Sequence, residues 1–134
     1  MVKRLWNYAV KAPDIQEATE FYEKHLGAES RLQGEVFGCK FNVVKIAEMR
    51  ILIFDKAPYE EPLGMNLTPG FLHAVYEVDD FEETIESLKR SGVRFLMEPQ
   101  LIHAAFGIRK IAFFEAPDGV RTEVMQIIED APGV

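Results

Sequence analysis

The sequence lacks the residues from which disulfides and cysteine-based metal sites are built. Its 134 residues include a single cysteine, Cys39. One cysteine excludes an intramolecular disulfide and any metal site of the Cys-x-x-Cys type. Cys39 lies in a strand-like stretch and is predicted to be a small buried hydrophobic residue.

Long hydrophobic runs are also absent. The apolar runs are only a few residues long, whereas a helix needs about 20 residues to span a bilayer. The start of the chain has neither the apolar core nor the small-residue cleavage site of a signal peptide. We therefore expect a soluble, cytoplasmic protein with no membrane partner.

Positive charge is in deficit. Fifteen Lys and Arg residues stand against 22 Asp and Glu residues, which gives a formal net charge of −7. Such an acidic surface repels phosphate backbones, which argues against nucleic-acid binding. The same charge balance is compatible with a neutral or cationic small ligand. The length and the 48% hydrophobic content fit one compact domain.

The chain contains the same unit twice. Residues 7–17 align with residues 73–83, and each copy is a short apolar strand, an aspartate and an amphipathic helix. Asp14 and Asp80 occupy N-cap positions, with a glutamate three residues later in each copy. Each helix is then followed by a glycine that serves as a left-handed stop: Gly27 and Gly92.

Strand-like runs separated by turn residues follow each helix, so each half is predicted to be a βαβββ module. The breaks fall at Gly34 and residues 47–48 in the first copy, and at Pro99 and residues 116–119 in the second. The sequence thus predicts a single α+β domain. Its parts are a module over residues 4–56, an extended proline-rich linker over 57–69, and a module over 70–128.

Superposing the two modules selects four equivalent positions. Asn7 in the first strand corresponds to His73, and Leu52 in the last strand of the first module corresponds to Glu123. Since side chains alternate along a strand, these positions are predicted to share the face turned away from the helices. Alternation places a second set on the helix side: Trp6, Tyr8, Val10, Leu72, Ala74, Tyr76 and Val78.

Several short motifs follow one another along the chain: Pro13-Asp14-Ile15, Phe21-Tyr22, Leu26-Gly27, His73 to Asp79, Gly107-Ile108-Arg109 and Ala116 to Glu123. Their order and spacing resemble the vicinal oxygen chelate superfamily over about residues 5–126. This superfamily includes glyoxalase I, methylmalonyl-CoA epimerase, extradiol dioxygenases and bleomycin-resistance proteins. The resemblance implies that the modules form a curved mixed sheet around a cleft that holds a divalent metal. It also implies a homodimer, in some members with exchanged modules.

The metal-ligand positions of the superfamily fall on the same four residues. His73 and Glu123 match the pattern, whereas Asn7 stands where histidine is usual and Leu52 where glutamate or glutamine is usual. The resemblance therefore implies a divalent ion (Fe, Mn, Ni or Zn) bound by His73 and Glu123, with Asn7 as a weak third ligand. A neutral amide is a poorer donor than imidazole for these metals.

The function implied is a metal-dependent enzyme of the glyoxalase or dioxygenase type. It would chelate a small oxygenated metabolite through two neighbouring oxygens. Glu123 and Glu77 are the candidate catalytic carboxylates, and residues 101–107 form a candidate flap over the cleft. The candidate substrate contacts are Asn7, Arg50, Leu52, Phe54, His103 and Arg121.

A metal-free binding protein of the bleomycin-resistance type is the alternative, since the chain is acidic and 11% aromatic. Each candidate also has a purely structural explanation. His73 can be a hydrogen-bonded cavity histidine, and Glu77 a solvated strand residue. Glu123 can pair with a nearby cation, for which the candidates are Lys11, Arg50 and Arg121.

Overall fold

The structure, a computed structural model, describes residues 1–134 and forms one continuous sheet with the two long helices on its outer face. A short 3₁₀ turn, Pro117–Gly119, joins the last two strands. The strands are β1 (Val2–Lys11), β2 (Glu29–Val36), β3 (Cys39–Ile46), β4 (Met49–Phe54), β5 (Gly70–Val78), β6 (Arg94–Ala104), β7 (Gly107–Ala116) and β8 (Val120–Asp130). The helices are α1 (Ile15–Leu26), α2 (Glu60–Leu63) and α3 (Phe81–Ser91).

The eight strands pair in the order β2-β3-β4-β1-β5-β8-β7-β6. The pairs β1–β4 and β5–β8 are parallel, and every other pair is antiparallel. The sheet curls until its edges approach each other, so that a Cβ at Gly34 of β2 would lie 2.7 Å from Ala105 beyond β6. The predicted α+β fold of two βαβββ modules around a cleft is confirmed.

The strand register reproduces the equivalence found in the sequence. Across the central β1–β5 pair, Asn7 faces Val75 and Ala9 faces His73. Ala9 also pairs with Leu52 of β4, just as Val75 pairs with Glu123 of β8. Asn7 and His73 are therefore related by the pseudo-twofold axis, and so are Leu52 and Glu123.

The predicted helix caps form as expected. The Asp14 carboxylate accepts a hydrogen bond from the Glu17 amide at 2.9 Å, and Asp80 accepts one from Glu83 at 3.0 Å. The residue after each helix, Gly27 or Gly92, adopts a left-handed conformation. These caps use local hydrogen bonds only, which explains why the sequence alone predicts them.

Two β-bulges overturn part of the predicted face assignment. The register of β1 against β5 shifts between Leu5 and Asn7, and again opposite Leu72. An extra residue in one strand turns neighbouring side chains to the same face. Trp6 and Leu72 therefore lie in the core cluster on the cleft side and not beneath the helices.

Two turns differ from the predicted breaks. The β2–β3 hairpin turns at Phe37 and Gly38, both with positive φ, and not at Gly34. This is the two-residue turn that matches the natural twist of a hairpin. Pro99 does not end a strand, since β6 runs through it with a register irregularity at the sheet edge, where a missing N–H is tolerated. Residues 101–107 are thus the end of β6 and its turn into β7, and not a separate loop.

The segment predicted as an extended linker is folded. It contains α2, and its Tyr59 and Glu60 are buried. The Glu60 carboxylate accepts hydrogen bonds from the Ala57 amide at 2.5 Å and the Leu67 amide at 2.6 Å. Lys11 donates to the same carboxylate at 2.7 Å. We call residues 57–67, closed around Glu60, the clasp.

The largest apolar cluster lies inside the curl of the sheet, and two smaller ones lie beneath the helices. Ile85 of α3 packs in one of these with Val124, while the partly buried Tyr22 of α1 packs against the other, which contains Ile51. None of the helices combines the length and apolar character needed to cross a bilayer.

Candidate functional site

A small cavity opens inside the curled sheet, between the two modules. Its volume is about 30 Å³, enough for one or two water molecules. Ten of its 13 lining residues are hydrophobic, and its polar lining comes chiefly from Asn7 and Glu123. Its aromatic wall is formed by Trp6, Phe37, Phe54, Phe106 and Phe113.

Three polar side chains form a connected array beside this cavity. The His73 ring is 1% exposed, and its Nε2 lies 3.3 Å from Oε1 of Glu123. On the other side of the ring, Nδ1 lies 3.0 Å from the Tyr59 hydroxyl. Phe113 packs edge-on against the same ring, with centroids 5.1 Å apart. Glu123 therefore pairs with His73, and not with Lys11, Arg50 or Arg121.

Asn7 lies next to this array with an unmet hydrogen-bonding requirement. Its side chain lines the cavity and is 2% exposed, and its amide nitrogen has no hydrogen-bond partner in the protein. Buried polar atoms are nearly always paired, so such an atom beside a cavity indicates that a ligand or water completes it.

Tyr59 is a site residue that the sequence analysis missed. The clasp places it between the modules, where its ring packs edge-on against Phe113 at a centroid distance of 5.5 Å. Burial raises the pKa of the Tyr59 phenol, and the nearby Arg121 only partly offsets this, so the hydroxyl keeps its proton at neutral pH. An aromatic residue within a proline-rich stretch was the only local signal.

The remaining predicted residues divide between the cavity and its surroundings. Leu52 and Phe54 line the cavity. Arg50 stacks on the Trp6 ring with its guanidinium carbon 4.2 Å from the centroid. Arg121 donates from Nε to the Leu72 carbonyl at 3.0 Å. Neither arginine lines the cavity. Their guanidinium groups contact Trp6 and the Leu72 carbonyl instead.

Glu77 and His103 lie outside the cavity. Glu77 is 3% exposed and pairs with Arg4 at 2.5 Å and Lys3 at 3.4 Å, so it is neither a solvated residue nor a free base. His103 is exposed on the edge strand β6. Glu77 lies four residues beyond His73 along β5, near the end of the strand, and His103 belongs to β6 because this strand continues through Pro99.

Comparison with known proteins identifies the family. A model of the Glyoxalase/Bleomycin resistance protein/Dioxygenase superfamily matches residues 5–124. The chain belongs to this superfamily. It is also 30% identical over 102 residues to YetH, an uncharacterised protein of Bacillus subtilis (strain 168), a match that covers 74% of this chain and 81% of YetH.

Solved structures of other proteins share the fold. A hypothetical protein from Bacillus halodurans C-125 superposes with a TM-score of 0.76 at 22% identity, over 96% of both chains. A Streptomyces coelicolor methylmalonyl-CoA epimerase in complex with 2-nitronate-propionyl-CoA gives 0.74 at 21% identity, over 96% of this chain and all of the other (100%). The epimerase from Mycobacterium tuberculosis gives 0.74 at 20% identity, over 96% and 90%.

Membership makes this chain a protein that acts on or binds a small molecule, and members of the superfamily often use divalent metals. The donor set here does not fit such a metal. No three His, Cys, Asp or Glu side chains come together anywhere in the chain, so only His73 and Glu123 serve as strong donors. Leu52 supplies hydrocarbon at the fourth position and lines an apolar cavity. The common tetrahedral and octahedral sites need more donors than this.

Proposed function

We propose that this superfamily member binds a small, mainly apolar organic molecule in the inter-module cavity without a resident metal ion. The polar end of the ligand would meet Asn7 and Glu123, and Glu123 is paired with His73; we call these three residues the polar floor. The single observation that carries the proposal is the unpartnered, buried amide nitrogen of Asn7 beside an aromatic-walled cavity. A few convergent polar groups in an apolar pocket are typical of small-molecule sites.

The cavity must widen to admit such a ligand. Its volume of about 30 Å³ holds water but no organic molecule. Phe37 lines the cavity from the β2–β3 turn and is only partly buried, unlike the fully buried Phe54, Phe106 and Phe113. Movement of Phe37 is thus the smallest change that opens the cavity to solvent.

The unfilled hydrogen-bonding capacity of Glu123 supports a ligand that carries an N–H donor. The Glu123 carboxylate has only one close partner, the His73 ring, so an added N–H donor would satisfy its other oxygen. The Asn7 carboxamide can meet a carbonyl oxygen in the same ligand. A primary aromatic amide such as benzamide combines both groups with an apolar ring, which makes it a suitable probe.

Benzamide is expected to bind and to change the emission of Trp6, the only tryptophan, because this ring lines the cavity. Replacing Leu52 with Phe fills the cavity and should abolish the signal. Replacing Asn7 with Leu removes the amide and should weaken binding about tenfold, equivalent to roughly 1.4 kcal/mol. Fluorescence titration and thermal shift measure both effects.

The matched control for the cavity-filling variant is Leu26→Phe, which makes the same change at a residue that is 54% exposed. Equal binding by Leu52→Phe and the parent would contradict the cavity as the binding site. Elemental analysis of untagged protein tests the metal. A stoichiometric ion lost in both His73→Ala and Glu123→Ala would overturn the metal-free proposal and support the predicted metal-dependent enzyme.

The predicted homodimer is retained as a proposal, with a second copy on the outer face of β1 and β5. Helices α1 and α3 pack mainly on other strands and leave this strip open. Leu5, Phe71 and Tyr76 are 39%, 58% and 37% exposed there. Two copies of a chain with net charge −7 repel, and their approach is least opposed at an uncharged, apolar strip.

Light scattering after size exclusion is expected to give twice the chain mass of 15.3 kDa. The double variant Phe71→Asp/Tyr76→Asp should run as a monomer because it places four carboxylates in a twofold interface. The control Leu101→Asp, at an exposed residue of β6, should remain dimeric. A monomeric parent, or a double variant that stays dimeric, would refute this surface.

A further inference from the structure

The hydroxyl of Tyr59 has two polar neighbours within hydrogen-bonding reach and one proton to donate. It lies 3.0 Å from Nδ1 of His73 and 3.5 Å from the carbonyl of Leu72. The Leu72 carbonyl already accepts a shorter bond from Nε of Arg121, at 3.0 Å. Hydrogen bonds weaken steeply near 3.5 Å, so the Tyr59 proton is directed to His73.

The opposite side of the ring is set by Glu123. Its carboxylate oxygen lies 3.3 Å from Nε2, and a carboxylate can only accept. A proton on Nε2 is therefore favoured there, while Nδ1 keeps the lone pair that Tyr59 needs.

We propose that Tyr59 is a positioning residue that donates to Nδ1 and, with Glu123, holds His73 as the neutral tautomer with its proton on Nε2. The proposal rests on the proposed function, in which Asn7 and Glu123 of the polar floor meet a ligand. The Nε2 proton gives Glu123 a fixed N–H donor. The same proton occupies Nε2, the nitrogen whose lone pair a metal ion beside Glu123 would need.

The clasp explains how Tyr59 keeps this position. Glu60 follows it in the chain and is anchored by Lys11 at 2.7 Å and by two backbone amides. Lys11 lies in β1, the strand that also carries Asn7. The same anchor therefore fixes the tyrosine relative to the polar floor.

The test is nitrogen NMR of ¹⁵N-histidine-labelled, ligand-free protein at neutral pH. The three histidines are His25, His73 and His103, and loss of one set of signals in His73→Gln assigns the ring. The expected spectrum shows Nδ1 of His73 as an unprotonated nitrogen and Nε2 as a protonated one. A proton on Nδ1 of His73 in the parent protein, or protons on both ring nitrogens, would overturn the proposal.

Tyr59→Phe retains the ring that packs on Phe113 and removes only the hydroxyl. It should move the Nδ1 signal downfield, toward that of an unprotonated nitrogen with no hydrogen bond. Tyr22→Phe, made on α1 away from the cavity, should leave it unchanged. An unchanged Nδ1 in folded Tyr59→Phe would show that Tyr59 only packs. These spectra need no ligand, so their outcome is separate from that of the benzamide titration.

Discussion

Replacing Lys11 with methionine is expected to destabilise the protein by about 3–5 kcal/mol, since it leaves the buried Glu60 carboxylate without its cation. Lys11 and Glu60 have side chains that are 9% and 4% exposed, and their charged atoms are 2.7 Å apart. The double variant Lys11→Met/Glu60→Gln should recover part of this loss because it removes the unpaired charge. Urea unfolding at neutral pH measures all three proteins.

A neighbouring lysine provides the control. Lys56 pairs with Glu61 of α2 at 3.3 Å, but both side chains are exposed, at 40% and 78%. Exposed ion pairs contribute little, so Lys56→Met should change stability hardly at all. Similar losses for Lys11→Met and Lys56→Met would show that the burial of the first pair has no energetic consequence.

The same pair predicts a pH dependence. Burial acts to raise the pKa of Glu60, but Lys11 and the amides of Ala57 and Leu67 outweigh it and hold the pKa below its ordinary value. Because the pKa of Glu60 is lower in the folded than in the unfolded state, this stabilisation is present above the unfolded-state pKa of roughly 4.3. It is lost as the pH falls through the folded-state pKa. The stability difference between the parent and Glu60→Gln should therefore shrink in acid. A difference that grows in acid would contradict this sign.

The fold was predictable because its signals are local or repeated. Asp14 and Asp80 bond to amides three residues away, and a glycine follows each helix. The internal repeat then relates the two modules without any knowledge of contacts. Trp6 could not be placed in this way, because a β-bulge depends on how two strands that are distant in sequence pair with each other.

The candidate site was predictable only where the repeat reached it. His73 and Glu123 were found as equivalents of Asn7 and Leu52, and the structure brings His73 and Glu123 together. Tyr59 lies between the modules, where the repeat offers no counterpart. Its position depends on a lysine and a glutamate 49 residues apart, a contact with no local signature.

Replacing Gly107 with alanine is expected to cost about 4 kcal/mol or more, through a steric conflict with the chain end of β8. Gly107 has φ of +126°, a conformation that side chains rarely adopt. A Cβ there would lie 2.1 Å from the Glu129 carbonyl oxygen and 2.8 Å from the Arg109 guanidinium. Neither neighbour has room to give, because Arg109 is fully buried and donates to that same carbonyl at 2.7 Å.

The effect should extend to the cavity wall. Arg109 also donates to the Phe106 carbonyl at 3.1 Å and stacks 5.4 Å from the Trp6 centroid, and both aromatic rings line the cavity. Displacing its guanidinium should change the Trp6 emission of the folded variant and weaken benzamide binding. Urea unfolding followed by this emission measures stability and site integrity in one experiment.

Gly119→Ala separates backbone strain from steric conflict. Gly119 has φ of +75°, but a Cβ there would meet nothing within 4 Å, so only the left-handed strain of about 1–2 kcal/mol applies. The excess loss in Gly107→Ala then measures the contact with Glu129 and Arg109. Equal losses of stability in the two variants would mean that the end of β8 moves away from the new Cβ at no energetic cost. They would also mean that Arg109 does not hold the Trp6 side of the cavity in place.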